Sequence, residues 1–274
     1  MFKILRKTVQ TGLVTIGYPN TPAKLSPRYR GAPRFDFANL TDPRAAADAC
    51  PTDAISIVEV DDRGHVTMDY GRCIFCGQCA EADSSIQMTQ EFELAACHRN
   101  DLVVNAEYGL SADGEHYELK ELEQNLAQQL QGRIHRLLGR SLAIREVDAG
   151  SCNGCEVEIT ALNSPVYDLE RLGMHFVASP RHADMLLVTG PVTRNMELAL
   201  LKTWQATPEP KVVVAVGACG ISGGIFGRNY ATLGGVDKVI PVDVYIPGCP
   251  PRPEALLYGI LLAVGRMEQK GLPQ

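Results

Sequence analysis

The sequence lacks three features that would place it in common functional classes. It has no excess of basic residues, since 26 lysines and arginines stand against 32 aspartates and glutamates and give a formal net charge of −6. That balance argues against nucleic acid as a partner. No apolar run approaches the roughly 20 residues of a membrane span, and the nearest candidate, residues 255–264, has the length of a buried helix. The N-terminus carries basic residues but no long apolar core and no small-residue cleavage site, so we expect neither a signal peptide nor a transmembrane segment.

Cysteine is present nine times, and its pattern is the strongest signal in the chain. An odd count and C-x-x-C units without a secretory signal favour metal ligation over disulfides. Eight of the cysteines fall into an upstream group and a downstream group. Cys97 belongs to neither, and a buried or incidental thiol is its simplest interpretation. The full set is Cys50, Cys73, Cys76, Cys79, Cys97, Cys152, Cys155, Cys219 and Cys249.

The upstream group follows the pattern of a bacterial ferredoxin. Two alternating apolar segments, residues 55–60 and 66–70, predict a pair of strands joined by a turn. Cys50 precedes the first strand, and the run from Cys73 to Cys79 follows the second. Residues 1–110 therefore predict an α+β domain of the bacterial ferredoxin type. Its first forty residues, rich in proline, glycine and arginine, predict an extended arm that lies on another surface.

The ferredoxin pattern also shows which ligands are absent. In two-cluster ferredoxins each motif is C-x2-C-x2-C-x3-C-P, and the fourth cysteine of each motif ligates the other cluster. The four ligands of one cluster are all missing, because their positions hold Leu40, Pro43, Ala46 and Asp83. The four ligands of the other are all present, so we predict one 4Fe–4S cluster on Cys50, Cys73, Cys76 and Cys79. A four-cysteine zinc site is the alternative, although such sites are usually two C-x2–4-C pairs.

Residues 111–140 predict a connecting helix. Leucines and an isoleucine recur at spacings of three and four from Leu119 to Leu138, which is typical of an amphipathic helix that Asp113 would cap. Acidic residues crowd its start and basic residues its end, as the helix dipole favours. The leucine stripe predicts packing against a neighbouring element.

Residues 141–274 alternate between apolar segments and helical patterns, which predicts a parallel α/β sheet of flavodoxin-like character. The predicted strands are residues 142–147, 176–178, 185–189, 211–216 and 242–246, and the predicted helices are residues 156–163, 196–205 and 254–269. Ligand sites of open α/β sheets lie past the C-terminal ends of strands. Cys152, Cys155, Cys219 and Cys249 all lie there, so we predict one metal–sulfur site from three loops. A phosphate loop at residues 217–224 is the weaker alternative, because the segment lacks the lysine and the G-x-G-x-x-G spacing.

Several motifs together resemble the small, electron-transfer subunit of membrane-bound energy-converting nickel–iron hydrogenases of the formate hydrogenlyase type. That subunit is homologous to the complex I subunit that carries the terminal 4Fe–4S cluster. The motifs are Cys152-Asn153-Gly154-Cys155-Glu156-Val157-Glu158, Ser179-Pro180-Arg181-His182-Ala183-Asp184, Gly190-Pro191-Val192-Thr193, Gly217-Ala218-Cys219-Gly220 and Ile246-Pro247-Gly248-Cys249-Pro250-Pro251-Arg252-Pro253. The complex I subunit has adjacent cysteines where this chain has C-x-x-C, so the hydrogenase branch is the closer match. Residues 1–110 resemble the two-cluster ferredoxin-like subunit of the same complexes.

The resemblance implies that two normally separate subunits are fused here. It implies a proximal 4Fe–4S cluster on the downstream cysteines, beside a nickel–iron site on a separate large subunit, and a second 4Fe–4S cluster on the upstream cysteines. Electrons would pass between a ferredoxin-type or dehydrogenase donor and that site, for proton reduction to H2 or the reverse. The chain would carry no catalytic residue of its own. It would lie peripherally at the cytoplasmic face of the inner membrane, with the membrane subunits of the complex as further partners.

Two other functions remain open from the sequence. The same relay could serve a nickel-free, hydrogenase-related or complex I-like quinone oxidoreductase, and the cysteines could instead build a zinc-stabilised scaffold. Three residues near the downstream motif also keep two interpretations. Glu156 and Glu158 could support the cluster loop or proton traffic, or be surface carboxylates of a helix; His182 could contact a partner or be structural.

Overall fold

A computed structural model of the chain describes residues 2–60, 63–110, 117–124 and 141–273. The N-terminal half holds three short helices and six strands among these residues. In chain order they are α1 (Phe2–Thr11), β1 (Pro33–Phe35), α2 (Pro43–Asp48), β2 (Ile55–Val60), β3 (Arg63–Asp69), α3 (Gln78–Ala82), β4 (Ile86–Met88), β5 (Val103–Leu110) and β6 (Tyr117–Gln124). Strands β2, β3, β5 and β6 form an antiparallel sheet in that order, and β1 pairs with β4. The predicted strand pair is confirmed as β2 and β3; the ferredoxin-like assignment of this half stays a prediction.

The arm differs from its prediction at its start. Residues 2–11 form helix α1, which ends at Gly12 with a φ of +64° that favours glycine. At residues 15 and 16 the chain contacts the C-terminal half, whereas Gly31 and Ala32 hydrogen-bond to Thr89 and Glu91 of the N-terminal half. The backbone N–H of Ile16 donates to the Val166 carbonyl at 2.9 Å, and the Thr15 hydroxyl donates to the Pro165 carbonyl at 2.8 Å.

The predicted connecting helix is wrong for residues 117–124, which form strand β6 against β5. The pairing contains a bulge, because Tyr108 lies opposite Leu119 while its neighbour Glu107 lies opposite Glu121. The bulge shifts the side-chain alternation by one residue. Leu119 and Leu122, three positions apart, therefore both pack against the core. That spacing is what the sequence pattern attributed to a helix; residues 111–116 and 125–140 lie outside the described part of the chain.

The C-terminal half is a five-stranded parallel sheet, which confirms the flavodoxin-like prediction. Its strands are β7 (Leu142–Asp148), β8 (Met174–Phe176), β9 (Met185–Thr189), β10 (Val212–Val216) and β11 (Val244–Ile246), in the order β8-β7-β9-β10-β11. This is the 2-1-3-4-5 order of flavodoxin-type sheets. Its helices are α4 (Gly154–Ala161), α5 (Arg194–Ala206), α6 (Gly217–Ser222) and α7 (Pro253–Ala263). Both central strands, β9 and β10, are buried along their whole length, as a sheet covered on both faces requires.

Helix α7 ends six residues earlier than predicted. Gly265 has a φ of +67°, and the Arg266 N–H donates to the Leu261 carbonyl, which terminates the helix. The chain then turns back toward the other half. There the side-chain oxygen of Gln269 accepts a hydrogen bond from the Cys97 N–H at 2.9 Å.

The two halves share one apolar core. Phe35 and Met68 of the N-terminal half belong to the same buried cluster as Val188 and Val213 of the parallel sheet. An antiparallel bridge between Ala96 and Tyr245 adds backbone hydrogen bonds of 3.0 and 2.8 Å. The two cysteine groups are therefore held in a fixed relation to each other. Among the described residues, no helix combines the length and apolarity required to span a bilayer.

Candidate iron–sulfur centres

The downstream cysteines gather at the carboxyl edge of the parallel sheet. Cys152 and Cys155 follow β7, Cys219 follows β10 and Cys249 follows β11, as predicted. Asn153, with a φ of +69°, makes the turn between the first two and begins α4, so Cys155 lies in the first turn of that helix. Asparagine is among the few residues that adopt this left-handed conformation readily. Cys219 lies within the short helix α6 rather than in a loop.

Glycines stand against three of the four sulfurs. A Cβ on Gly217 would lie 2.8 Å from the Cys155 Sγ, and one on Gly224 would lie 2.8 Å from the Cys219 Sγ. A Cβ on Gly154 would lie 3.5 Å from the Cys152 Sγ. Gly217 and Gly224 also have positive φ values, +77° and +55°. Without side chains, these residues leave room beside the thiols for an inorganic group and let backbone come close to it.

The titration of these thiols places them within mutual electrostatic reach. Burial raises the pKa of Cys155, and charges on Glu156 and on the other three cysteines raise it further. Burial, followed by Cys249, Cys152 and Glu156, raises the pKa of Cys219 to about 11. Thiols whose ionisation is disfavoured in this way, Cys155 and Cys219, would be stabilised as thiolates by a bound cation. Such a cation must displace their protons, because thiolate is the form that binds iron.

The three undecided residues near this site differ in their surroundings. Glu156 accepts a hydrogen bond from the Thr189 hydroxyl, and its Oε2 is buried without a hydrogen-bond partner among the described residues. Its carboxylate therefore faces inward, beside Cys155, and is not a surface carboxylate. Glu158 is partly buried, which raises its pKa, while nearby Arg252 lowers it. His182 is exposed in a 3-10 turn, Pro180–His182.

The upstream cysteines line one cavity. Its walls include Cys50, Cys73, Cys76 and Cys79 together with apolar side chains of β2, β3 and β4. The Ala54 N–H donates to the Cys50 Sγ at 3.3 Å, and the Phe75 N–H donates to the Cys73 Sγ at 3.4 Å. Backbone donors to cysteine sulfur are a known influence on the potential of iron–sulfur clusters. Phe75 and Gly77, with φ values of +57° and +87°, curl the loop around this cavity.

Burial is the largest influence on the pKa values of two upstream thiols, Cys73 and Cys79. It raises the pKa of Cys73 far above its ordinary value, and the other three cysteines raise it further. Burial, Cys76 and Cys50 raise the pKa of Cys79 to about 11 despite a hydrogen bond from the backbone. In the part of the chain that the structure describes, no three His, Cys, Asp or Glu side chains lie close enough to hold a single metal ion. The assignment of iron–sulfur clusters to these cysteines therefore rests on the chemistry of cysteine sulfur and on the conformation of the loops that carry it.

The positions of the missing ligands are filled by packing and hydrogen bonds. Ala46 is fully buried, Leu40 packs against the core, and Pro43 begins α2. The Asp83 carboxylate, 1% exposed, accepts hydrogen bonds from the Asp42 N–H at 2.9 Å and from the Ser85 N–H at 2.9 Å and hydroxyl at 2.7 Å. Asp83 thus ties the start of α2 to the end of α3, and its lone pairs are used within the protein.

The contacts of Arg252 are a feature of the site that the sequence did not predict. Arg252 donates two hydrogen bonds of 2.7 Å to the buried Glu254, and its guanidinium lies 4.9 Å from the Tyr29 ring centroid and 5.2 Å from that of Phe92. The arm and the N-terminal half thus clamp the loop that carries Cys249. The run Cys249-Pro250-Pro251-Arg252-Pro253-Glu254 offered a signal, since a bidentate pair across a proline fixes a loop.

A cavity lies beside this clamp, between the two cysteine groups. It is bordered by Ile74 and Phe75 from the upstream loop and by Cys249, Pro250 and Pro251 from the downstream loop. The loops of the two candidate centres are therefore neighbours across this cavity, whose lining also includes Arg30 and Glu91.

Comparison with known proteins agrees with this geometry. A family model described as "NADH ubiquinone oxidoreductase, 20 Kd subunit" matches residues 152–263, which contain all four downstream cysteines. The chain is 49% identical over 151 residues to the probable membrane-bound hydrogenase subunit mbhJ of Pyrococcus furiosus, covering 55% of this chain and 87% of that protein. The chain belongs to this family of small subunits of membrane-bound hydrogenase and complex I-type oxidoreductases.

Two further members of this family show its breadth. The chain is 53% identical over 141 residues to formate hydrogenlyase subunit 7 of Escherichia coli, covering 52% of this chain and 55% of that protein. It is 45% identical over 155 residues to a subunit of the NADH-quinone oxidoreductase of Phocaeicola vulgatus, covering 54% of this chain and 77% of that protein. The chain thus spans about half the length of the Escherichia coli relative, and each match covers about half of the chain.

Gly217→Ala should remove the downstream centre while leaving the upstream one. The new Cβ would meet the Cys155 sulfur at 2.8 Å and the Gly248 carbonyl at 3.3 Å. Gly173→Ala is the matched control, because Gly173 has the same φ of +77° and nothing within 4 Å of its Cβ position. Both variants carry the left-handed strain of about 1–2 kcal/mol, but only the first should lose roughly half of the bound iron. Equal iron contents in the two variants would contradict the placement of the site.

Asp83→Ala should destabilise the protein, because it leaves buried backbone donors without an acceptor. We expect a loss of about 1.5–3 kcal/mol in the free energy of unfolding at neutral pH, measured by denaturant titration. Burial raises the pKa of Asp83, but the hydrogen bonds from Ser85, Asp42 and Thr41 outweigh it, so the net pKa is lowered.

The lowered pKa gives this prediction a pH dependence. The Asp83 contribution is complete above the ordinary aspartate value of about 4 and declines as the pH falls through the lowered value. The stability difference between the wild type and Asp83→Ala should therefore shrink in acid. Asp83→Asn keeps one acceptor, so its free energy of unfolding at pH 7 should lie between those of the wild type and Asp83→Ala. A difference that stays constant from pH 7 to pH 3 would count against the carboxylate as the link.

Proposed function

We propose that this chain is an electron-transfer subunit of a membrane-associated nickel–iron hydrogenase complex. Cys152, Cys155, Cys219 and Cys249 hold a proximal 4Fe–4S cluster, and Cys50, Cys73, Cys76 and Cys79 hold a second one. The observation that carries the proposal is the cavity bordered by both cysteine loops, because electron transfer requires the two centres to be close neighbours. The names of the relatives, a formate hydrogenlyase subunit and a membrane-bound hydrogenase subunit, support the same complex.

When bound, each cluster accepts and releases one electron at a time. The protein's contribution is to hold, space and shield it. Gly217 and Gly224 leave room at the downstream sulfurs, while the N–H groups of Ala54 and Phe75 donate to upstream sulfurs. The space between the two sites is bordered by Ile74, Phe75, Pro250 and Pro251, with Arg30 and Glu91 also on its walls. Arg252, clamped between Tyr29 and Phe92, fixes the Cys249 loop against the N-terminal half, so the separation is set by the fold.

The two ends of this path face different partners. Cys152 and Cys249 are exposed at the sheet edge, and Val157, Ile225 and Phe226 expose apolar side chains on the neighbouring helices. A large subunit that carries nickel and iron would cover this edge. A ferredoxin-type or dehydrogenase donor would supply electrons at the N-terminal half, and the complex would sit at the cytoplasmic face of the inner membrane with its membrane subunits.

A second candidate is the same relay in a nickel-free or quinone-linked oxidoreductase. It is favoured by the NADH-quinone oxidoreductase relatives; the match to one of them covers 77% of that protein at 45% identity. The C-x-x-C spacing favours the nickel enzyme. Nickel analysis of the co-purifying large subunit decides between them.

Metal analysis of the purified chain tests the cluster count directly. We expect about eight iron and eight acid-labile sulfide per chain, since two 4Fe–4S clusters hold that number. Zinc without sulfide would refute the relay and favour a scaffold. About twelve iron would show that the positions filled by Leu40, Pro43, Ala46 and Asp83 do not prevent a third cluster.

Cys152→Ser should affect only one of the two centres. It removes a ligand of the proximal cluster, so electron delivery to the large subunit should stop while the upstream cluster stays visible by EPR. Cys97→Ser is the control, because Cys97 is buried, and the charges that shift its pKa belong to Asp101 and Asp243 rather than to another cysteine; this variant should keep all of the iron. Hydrogen turnover with an artificial dye at the full rate in Cys152→Ser would overturn the proximal assignment.

A further inference from the structure

Helix α1 is a part of the fold that the relay does not use. Its ten residues, Phe2–Thr11, stand off the body of the protein, and every side chain that the structure describes in it is exposed. Phe2 is 86% exposed, Val9 78% and Leu13, just past the helix, 91%. Large apolar side chains this exposed usually mark a binding surface when they lie together.

The sequence of α1 places these side chains on one face. Phe2 and Val9 are seven positions apart, so they lie along one side of α1, and Leu13 follows just past the end of the helix. The basic residues of α1 lie beside these apolar side chains, since Arg6 and Lys7 follow Lys3 by three and four positions. The helix contains no aspartate or glutamate. A short helix with an apolar face and a basic face is typical of segments that lie in the plane of a membrane surface.

Charge identifies the surface that fits this helix. Residues 1–35 contain seven lysines and arginines and no acidic residue, in a chain whose formal net charge is −6. An anionic lipid surface attracts this basic end and repels the acidic remainder, so charge alone would orient the protein with α1 toward the bilayer.

The segment after α1 is anchored, which fixes where the helix leaves the body. Ile16 and Thr15 hydrogen-bond to the carbonyls of Val166 and Pro165 in the C-terminal half, and Tyr18 donates to Glu93 at 2.7 Å. Only Gly12 and the two residues after it separate this anchor from α1. The helix therefore sits at a fixed place beside the turn that follows α4.

We propose that α1 is an interfacial anchor that inserts Phe2, Val9 and Leu13 into an anionic lipid bilayer, with Lys3, Arg6 and Lys7 at the headgroups. This holds the chain on the membrane without a transmembrane segment among its described residues. The inference does not depend on the clusters or on the proposed electron relay, so vesicle binding and cluster content can fail separately.

The test is co-sedimentation of the purified full-length chain with lipid vesicles. We expect binding to vesicles of equal phosphatidylglycerol and phosphatidylcholine, weaker binding in high salt, and little binding to phosphatidylcholine alone. Lys3→Gln/Arg6→Gln/Lys7→Gln should bind roughly tenfold more weakly or worse, and Val9→Glu/Leu13→Glu should abolish binding. The matched control is Val58→Glu/Leu198→Glu, which changes two apolar residues that are 55% and 59% exposed elsewhere and should bind as the wild type does.

Three results would overturn the proposal. One is wild-type binding by Val9→Glu/Leu13→Glu, and a second is equal binding to neutral and anionic vesicles. The third is failure of the wild type to bind any vesicle while Val9→Glu/Leu13→Glu loses a co-purifying subunit, which would assign α1 to a protein partner. Because α1 stands off the core, all variants should keep the wild-type circular dichroism and iron content, and these are measured alongside.

Discussion

The convergence of four thiols that are almost a hundred residues apart in the chain is the constraint on which the rest of the structure depends. A parallel sheet meets it directly, because the carboxyl ends of its strands lie along one edge. β7, β10 and β11 each deliver a cysteine-bearing segment to that edge, and the buried strands between them hold the spacing. Burial and neighbouring charges raise the pKa of Cys155 and Cys219, so their thiolates are unfavourable without a bound cation. In the proposed site, a positive iron core would offset that cost.

The same constraint explains how the two halves are joined. The proposed relay would need a constant distance between its centres, and two domains on a flexible linker could not supply one. Here the halves share a core, a β-bridge between Ala96 and Tyr245, and the clamp of Tyr29 and Phe92 on Arg252. The clamp acts on the loop of Cys249 itself. Its position explains why a basic residue follows the cysteine so closely, since a cation held between two rings and a buried carboxylate can neither swing away nor be hydrated easily.

Much of this could be predicted from the sequence, and the exceptions have local physical causes. The parallel sheet, its strand ends and both cysteine groups follow from apolar runs and motif spacing. Residues 117–124 could not be assigned, because the bulge opposite Glu107 and Tyr108 gives a strand the three-residue leucine spacing of a helix. Helix α7 ends because Gly265 adopts a left-handed conformation, which hydrophobic periodicity does not predict. The clamp on Arg252 joins residues more than 150 positions apart, and no local pattern encodes such a contact.

If the chain is the proposed relay, its geometry explains why these four upstream cysteines are the ones present. The retained cysteines lie on the loop of Ile74 and Phe75, which borders the downstream site. Loss of the cluster on these cysteines would isolate the proposed proximal cluster from any donor at the N-terminal half. At the position of one missing ligand, the Asp83 carboxylate links α2 to α3 through its hydrogen bonds. A hydrogen-bonded carboxylate preserves the shape of the domain but carries no electrons, so any external donor must reach the cluster on Cys50, Cys73, Cys76 and Cys79 directly.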